Sequence, residues 1–255
     1  MLSDDELLRY SRQILLAEVD LAGQEALRAA FVLLVGAGGL ANPAALYLAG
    51  AGVGRLLIAD GDVLEASNLH RQIGFRQGDV GRNKAEALAA QLRALNDAVE
   101  ARVQPHYVDE SWLASVVPTV DVVLDCSDNF ATRALVNAAC VAARTPLVSA
   151  AAIRFSGQLA VFDLRRDDAA CYGCLYGNGD NVDELCSESG ILGPVVGVMG
   201  TLQALQAIRL LTGLPVSQSL QLFDGHTLSW KSLSFRRDPA CPVCARLKTS
   251  WLQER

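Results

Sequence analysis

The chain has 255 residues, 51% of them hydrophobic and 20% charged, with a formal net charge of −6. This is globular composition and excludes a disordered chain, while the acidic balance weighs against nucleic acid or an anionic membrane as partner. The N-terminus MLSDDELLRY carries acid where a targeting signal carries positive charge, so the cytoplasm is the expected compartment. Seven cysteines in such a chain point to metal binding or thiol chemistry before disulfides.

Ser3 and Glu6 have capping-box spacing and open an N-terminal helical arm over residues 1–30. From Phe31 the pattern alternates strand and helix. Strands are expected at Phe31 to Val35, Arg55 to Ala59, Ala101 to Val108, Val120 to Leu124 and from Pro146. Helices are expected at Asn42 to Ala51, Lys84 to Leu95, after an Asp109 cap, and over Phe130 to Arg144. Short connections between them imply a mostly parallel, doubly wound α/β sheet covered on both faces.

After about Ile153 the rhythm changes. A strand at Gln158 to Phe162 precedes a segment rich in Gly, Asn and acid, and a long helix starts near Pro194. Gln203, Gln206 and Arg209 interrupt that helix, so it is expected in the core or at an interface rather than in a membrane. Leu220 to Phe223 and Thr227 to Phe235 flank Asp224-Gly225, a turn pair suited to a C-terminal hairpin. No boundary to a second domain is visible.

Gly36, Gly38 and Ala41 fit G-x-G-x-x-A between a strand and a helix, with Gly39 as an extra glycine. Such a loop lets backbone N–H groups approach phosphate, although a tight turn without ligand would use the same residues. Asp60 ends the second strand, where a carboxylate can accept hydrogen bonds from ribose hydroxyls. A dinucleotide needs no more than this, whereas a nucleoside triphosphate brings charge that calls for cations. Arg71, in the loop Ser67 to Gln72, and Lys84 are candidates, with solvated surface charge as the bland alternative. Asp125 to Asn129 (DCSDN) adds oxygen ligands suited to Mg²⁺, and Asp128 could instead cap the helix from Phe130.

Cys171-Tyr-Gly-Cys174 and Cys241-Pro-Val-Cys244 supply four thiolates, enough for a closed tetrahedral zinc site pinning the hairpin to the middle of the chain. Two redox dithiols are the rival reading, disfavoured because neither pair is expected to open a helix after a strand. Cys186, in ELCSESG, is either a thiol nucleophile toward an activated acyl group or idle; Cys126 and Cys140 read as core residues.

Taken together, RYSRQILL, GAGGLA, ADGD, SNLHRQ, Lys84, DCSDN, the paired CxxC motifs and GPVVGVMGTLQALQAI resemble the MoeB/ThiF adenylyltransferases, bacterial relatives of ubiquitin-activating enzymes. The resemblance spans nearly the whole chain. It implies one domain, 1–255, with a Rossmann-like core at 31–150 and a carrier-binding, dimer-forming and zinc-bearing part at 151–255. It also implies a homodimer that uses ATP and Mg²⁺ to adenylate the C-terminal glycine of a ubiquitin-like sulfur carrier ending in Gly-Gly. The carrier would be MoaD-like, for molybdopterin synthase, or ThiS-like, for thiamine biosynthesis.

By position, Gly36, Gly38, Gly39, Asp60, Asp62, Gln72 and Asn129 would line the nucleotide site, with Asp60 on the ribose. Asn68, Arg71 and Lys84 would hold phosphates, Asp128 the Mg²⁺, and Arg12 would reach the partner subunit's site. Cys171, Cys174, Cys241 and Cys244 would bind structural zinc, and Cys186 would bond to the carrier only in the ThiF branch. Two departures stand out: Ala41 where glycine is usual, and Asn83 where proline is common. An NAD-dependent oxidoreductase would explain the glycines and Asp60 but not the cations, Asp128 and the cysteines, and a non-catalytic scaffold would not need them.

Overall fold

Strand β1 (Phe31–Val35) is buried at every residue, with Val32 and Leu34 packing on one side of the sheet and Phe31, Leu33 and Val35 on the other. An apolar run with no polar face must lie inside a sheet covered on both sides. In the computed structural model, which describes residues 2–177 and 190–245, that is where it lies. Its neighbours are β2 (Arg55–Ala59) and β4 (Val122–Asp125), both parallel to it. With β3 (Glu100–Gln104), β5 (Leu147–Ile153), β6 (Ser156–Phe162), β7 (Ser219–Asp224) and β8 (Ser229–Ser234), the sheet runs in the order β3-β2-β1-β4-β5-β6-β7-β8. The first five strands are parallel; β6, β7 and β8 extend them antiparallel.

The N-terminal arm is α1 (Asp4–Arg9), α2 (Ser11–Ile14) and α3 (Asp20–Ala29), and the Ser3–Glu6 capping box forms as the spacing predicts. Helices α4 (Ala41–Gly50), α5 (Lys84–Leu95) and α9 (Gly193–Leu211) cover one face; α6 (Glu110–Val116), α7 (Phe130–Ala143) and α8 (Tyr172–Tyr176) cover the other. By length and composition α9 could cross a membrane. Here Val195, Val196, Met199 and Ala204 pack it into the core. At Gly200 an added Cβ would stand 2.2 Å from the Leu40 carbonyl oxygen, so glycine is what lets α9 reach the start of α4.

Two expectations need correction. Strand β3 ends at Gln104 rather than Val108 because Pro105 has no N–H to continue the ladder. The hairpin loop is wider than Asp224-Gly225: Gly225 donates its N–H to Phe155 on the neighbouring turn, and Leu228 takes a left-handed backbone before β8 starts. Cys171 stands at the N-cap of the short helix α8, and neither CxxC pair opens a helix after a strand, as expected. That helix follows a loop and not a strand, and the other pair lies against it.

Candidate nucleotide cleft and metal centre

Strand order reverses at β1, which has β2 on one side and β4 on the other, and beyond the carboxyl ends of such strands a crevice opens. The cleft there has a volume of about 690 Å³. Gly36, Gly38, Gly39, Asp60, Asp62, Arg71, Gln72, Lys84, Asp128 and Asn129, expected from the sequence, all line it. Asn68 does not: its carboxamide oxygen accepts the Glu65 N–H and holds the turn leading to Arg71. Arg12 also lies outside, exposed on α2. Cys186 falls outside the described residues.

The glycines differ in what they do. Gly36 has φ +94° and leaves no room for a Cβ, which would meet the Cys126 carbonyl oxygen at 2.8 Å. Gly39 is equally confined, its added Cβ 2.7 Å from Val196. At Gly38 the nearest atom would be Gln72 Nε2 at 3.6 Å, an ordinary contact, so packing does not demand a glycine there. Its bare backbone faces the cleft. Asn42 fixes the loop, donating to the Ala37 and Gly38 carbonyls and accepting from Gly74 N–H. Ala41, the departure, buries its methyl in the core and does not line the cleft.

Asp60 accepts the N–H of Ala37 at 2.6 Å and of Asp62 at 2.7 Å. Burial nevertheless pushes its carboxyl above the usual range, against those bonds and nearby Lys84. Lys84 Nζ lies 2.6 Å from Asp62, whose other oxygen accepts the Tyr107 hydroxyl. Asn83 caps α5 by accepting from Glu86 N–H and donates to the Asp60 and Asp62 carbonyls, a locking role closed to proline. Arg71 bonds the Ser67 carbonyl and the His70 ring, with no carboxylate partner among the described residues. Asn129, not Asp128, caps α7 by accepting from Thr132 N–H, which leaves the exposed Asp128 carboxylate clear of that duty. The Gln72 side-chain oxygen is buried without a hydrogen-bond partner among the described residues.

The four cysteines of the CxxC pairs converge elsewhere, below α7. Their sulfurs lie within 4.8 Å of one another, with neighbours at 3.4, 3.6 and 3.9 Å. Tetrahedral zinc with sulfur at its usual bond length sets sulfurs about 3.8 Å apart, so the spacing fits a metal ion and is too long for disulfides. Burial pushes the Cys171 thiol up to about 11, so a cation is needed to draw its proton off at neutral pH. Asn137 Nδ2 and the Asp238 N–H already point donors at Cys171 and Cys174.

The ThiF family model matches residues 10–243. The chain belongs to the ThiF family. Among curated relatives, the sulfur carrier protein ThiS adenylyltransferase of Escherichia coli is 47% identical over 95% of this chain and 97% of its own. The molybdopterin-synthase adenylyltransferase of the same species is 42% identical over 96% and 99%. The mouse (Mus musculus) adenylyltransferase and sulfurtransferase MOCS3 is 47% identical, and this chain spans 55% of its length. Among solved structures, E. coli MccB with ATP superposes with a TM-score of 0.81 at 26% identity, over 93% of this chain and 74% of that one.

This ThiF-family cleft also contains residues that sequence reasoning passed over. Arg133 on α7 is buried and donates to the Ser127 and Ala150 carbonyls and Ser149 Oγ, tying the β4–α7 turn to β5. Asp125, 3.7 Å from that guanidinium, accepts both the N–H and hydroxyl of Ser127. The signal for Arg133 was its register with Val136, Asn137 and Cys140 on the buried side of α7. Tyr107 and Val108, read as strand, line the cleft as loop.

Proposed function

We propose that the cleft binds ATP with Mg²⁺ and adenylates the C-terminal glycine of a ubiquitin-like sulfur-carrier protein, releasing pyrophosphate. The observation that carries this reading is the meeting of the bare Gly38 backbone with Arg71, Lys84 and Asp128 in one cleft. Three linked phosphates need more counter-charge than a dinucleotide's pyrophosphate, and an NAD-dependent oxidoreductase leaves those three side chains without work. The relatives' names, adenylyltransferases for ThiS and for molybdopterin synthase, support the same activity.

In this reading Asp60 accepts from the ribose hydroxyls, the Gly36–Gly39 loop presents N–H groups to phosphate, and Arg71 and Lys84 neutralise the leaving pyrophosphate. Asp128 holds Mg²⁺, which supplies charge stabilisation to the phosphates. A peptide carboxyl has a pKa of about 3.5 and is ionised at neutral pH, so no general base is required. One carboxylate oxygen attacks the α-phosphorus, the bond from that phosphorus to the β-phosphate oxygen breaks, and the electron pair leaves with pyrophosphate. Ala151, Ala152, Ile153, Ile191 and Val196 also line the cleft and give it a small, apolar surface suited to an extended tail without bulky side chains.

The four-cysteine cluster holds structural zinc. The active form is a homodimer in which Arg12 reaches the phosphates of the second copy's cleft, and free thiols with ATP chemistry fit the cytoplasm. Carrier-dependent exchange of labelled pyrophosphate into ATP tests the activity, and its absence with both a MoaD-like and a ThiS-like carrier would overturn it. Mass spectrometry of each carrier after incubation selects between them.

A further inference from the structure

Asp62 sits between two donors at the mouth of the cleft. Its Oδ2 lies 2.6 Å from Lys84 Nζ, and its Oδ1 accepts the hydroxyl of Tyr107. The backbone beneath is pinned: the Asp62 N–H donates to Asp60, and the Asp62 carbonyl accepts from Lys84 N–H and Asn83 Nδ2. The carboxylate itself is 43% exposed and has only these two side-chain restraints among the described residues. Lys84, by contrast, is almost wholly covered. An ammonium has three donors, so one bond to Asp62 leaves two for an anion in the cleft.

Tyr107 is 74% exposed, yet its ring has a fixed seat. It lies over the backbone of Gly61, where an added Cβ would meet the Tyr107 N at 2.8 Å and two ring carbons at 2.9 Å. Gly61, the Tyr107 ring, its hydroxyl, Asp62 and Lys84 therefore form one continuous run of contacts along the cleft edge. Remove the hydroxyl, and Asp62 is free to turn toward water and away from Lys84.

We propose that Tyr107 is a positioning residue for phosphate binding, which acts through Asp62 to hold the Lys84 ammonium where it meets an anionic ligand. The phosphate part of this rests on the ATP reading above; the Lys84 part does not. Tyr107→Phe keeps the ring on Gly61 and removes only the hydroxyl. It should raise the ATP dissociation constant about five- to tenfold, the net weight of one ordinary hydrogen bond, because the change reaches ATP only through Asp62 and Lys84. The thermal midpoint should stay as it is, because the loop is exposed and unchanged in packing. Gly61→Ala, which displaces the ring, should give a similar loss of affinity.

In an Asp62→Asn background the same Tyr107→Phe change should add less than about twofold, since the connection to Lys84 is already weakened. In the ligand-free protein, Lys84 should react faster with an amine-acylating reagent after Tyr107→Phe, read by mass spectrometry of the peptide that carries it. An unchanged dissociation constant, an equal loss in the Asp62→Asn background, or unaltered Lys84 reactivity would each overturn the proposal. If the wild-type protein takes up no ATP by calorimetry, the ATP reading falls, and the reactivity of Lys84 still decides whether Tyr107 governs it.

Discussion

Gln203, fully buried on α9, donates from Nε2 to the carbonyl oxygens of Asp125 at 2.8 Å and Val148 at 3.1 Å. It thus bridges β4 and β5, and through Asp125 it supports the turn carrying Ser127 and Asp128. Gln203→Leu preserves volume but strands two buried acceptors, a loss of about 2–3 kcal/mol. Thermal unfolding should shift down by about 4–10 °C. A shift within about 1 °C would mean that other groups satisfy those carbonyls.

Gly36 and Gly38 separate folding from binding. Gly36→Ala forces a methyl into the Cys126 carbonyl at a positive φ and should lower stability by more than about 2 kcal/mol. Gly38→Ala meets no obstacle in the protein and should leave the melting temperature unchanged or slightly higher. Its methyl stands where phosphate approaches the loop, so ATP affinity should drop at least about tenfold. Equal ATP binding by Gly38→Ala and wild type, measured by calorimetry, would count against phosphate at that loop.

The cysteine cluster should hold one zinc ion per chain, measured by plasma mass spectrometry. Cys171→Ser or Cys241→Ser should lose the metal and destabilise the fold by more than about 4 kcal/mol, because α8 and the segment after β8 then lack their common anchor. A strong chelator should have the same effect and zinc should reverse it. Metal-free protein of full stability would show that the thiols pack unaided.

Asp128→Ala should nearly abolish pyrophosphate exchange, a fall of about a hundredfold or more, with α7 intact because its cap is Asn129. Cys186→Ala should spare exchange, since adenylation uses the carrier's carboxylate and no thiol. Exchange that survives in Asp128→Ala would remove this residue from the metal role; its loss in Cys186→Ala would make adenylation thiol-dependent.

Burial raises the Asp60 carboxyl, and the sign of its effect follows. A ribose hydroxyl donates to the ionised form, so ATP affinity is full where Asp60 is charged and weakens as pH falls through its raised value. That loss begins at a higher pH than an exposed aspartate would give. Titrating affinity by calorimetry from neutral pH to about pH 4 reads it. The unliganded fold behaves oppositely: this group's contribution to stability is full at low pH and is lost as pH rises through the folded value. Affinity that stays flat down to the ordinary carboxylate range would detach Asp60 from the ribose.

The sequence by itself determined the parallel core, because an unbroken apolar run such as Phe31 to Val35 has one home, between two helical layers. It also determined the cleft's main inventory, since a glycine loop, Asp60 and Asp128 at strand ends are brought together by the topology alone. Local rules went further at the caps of α1 and α6, where the deciding hydrogen bonds join residues three apart. What the tertiary structure decided are contacts between segments distant in the chain. Tyr107 met Asp62 at the cleft edge, and Gln203 found its acceptors on two strands. Arg133 sits in an apolar helix as a buried cation, a placement tolerable because acceptors from the β4–α7 turn and β5 and the nearby Asp125 carboxylate surround it. No local pattern encodes such partners, because a long-range hydrogen bond depends on where the folded chain puts both of its ends.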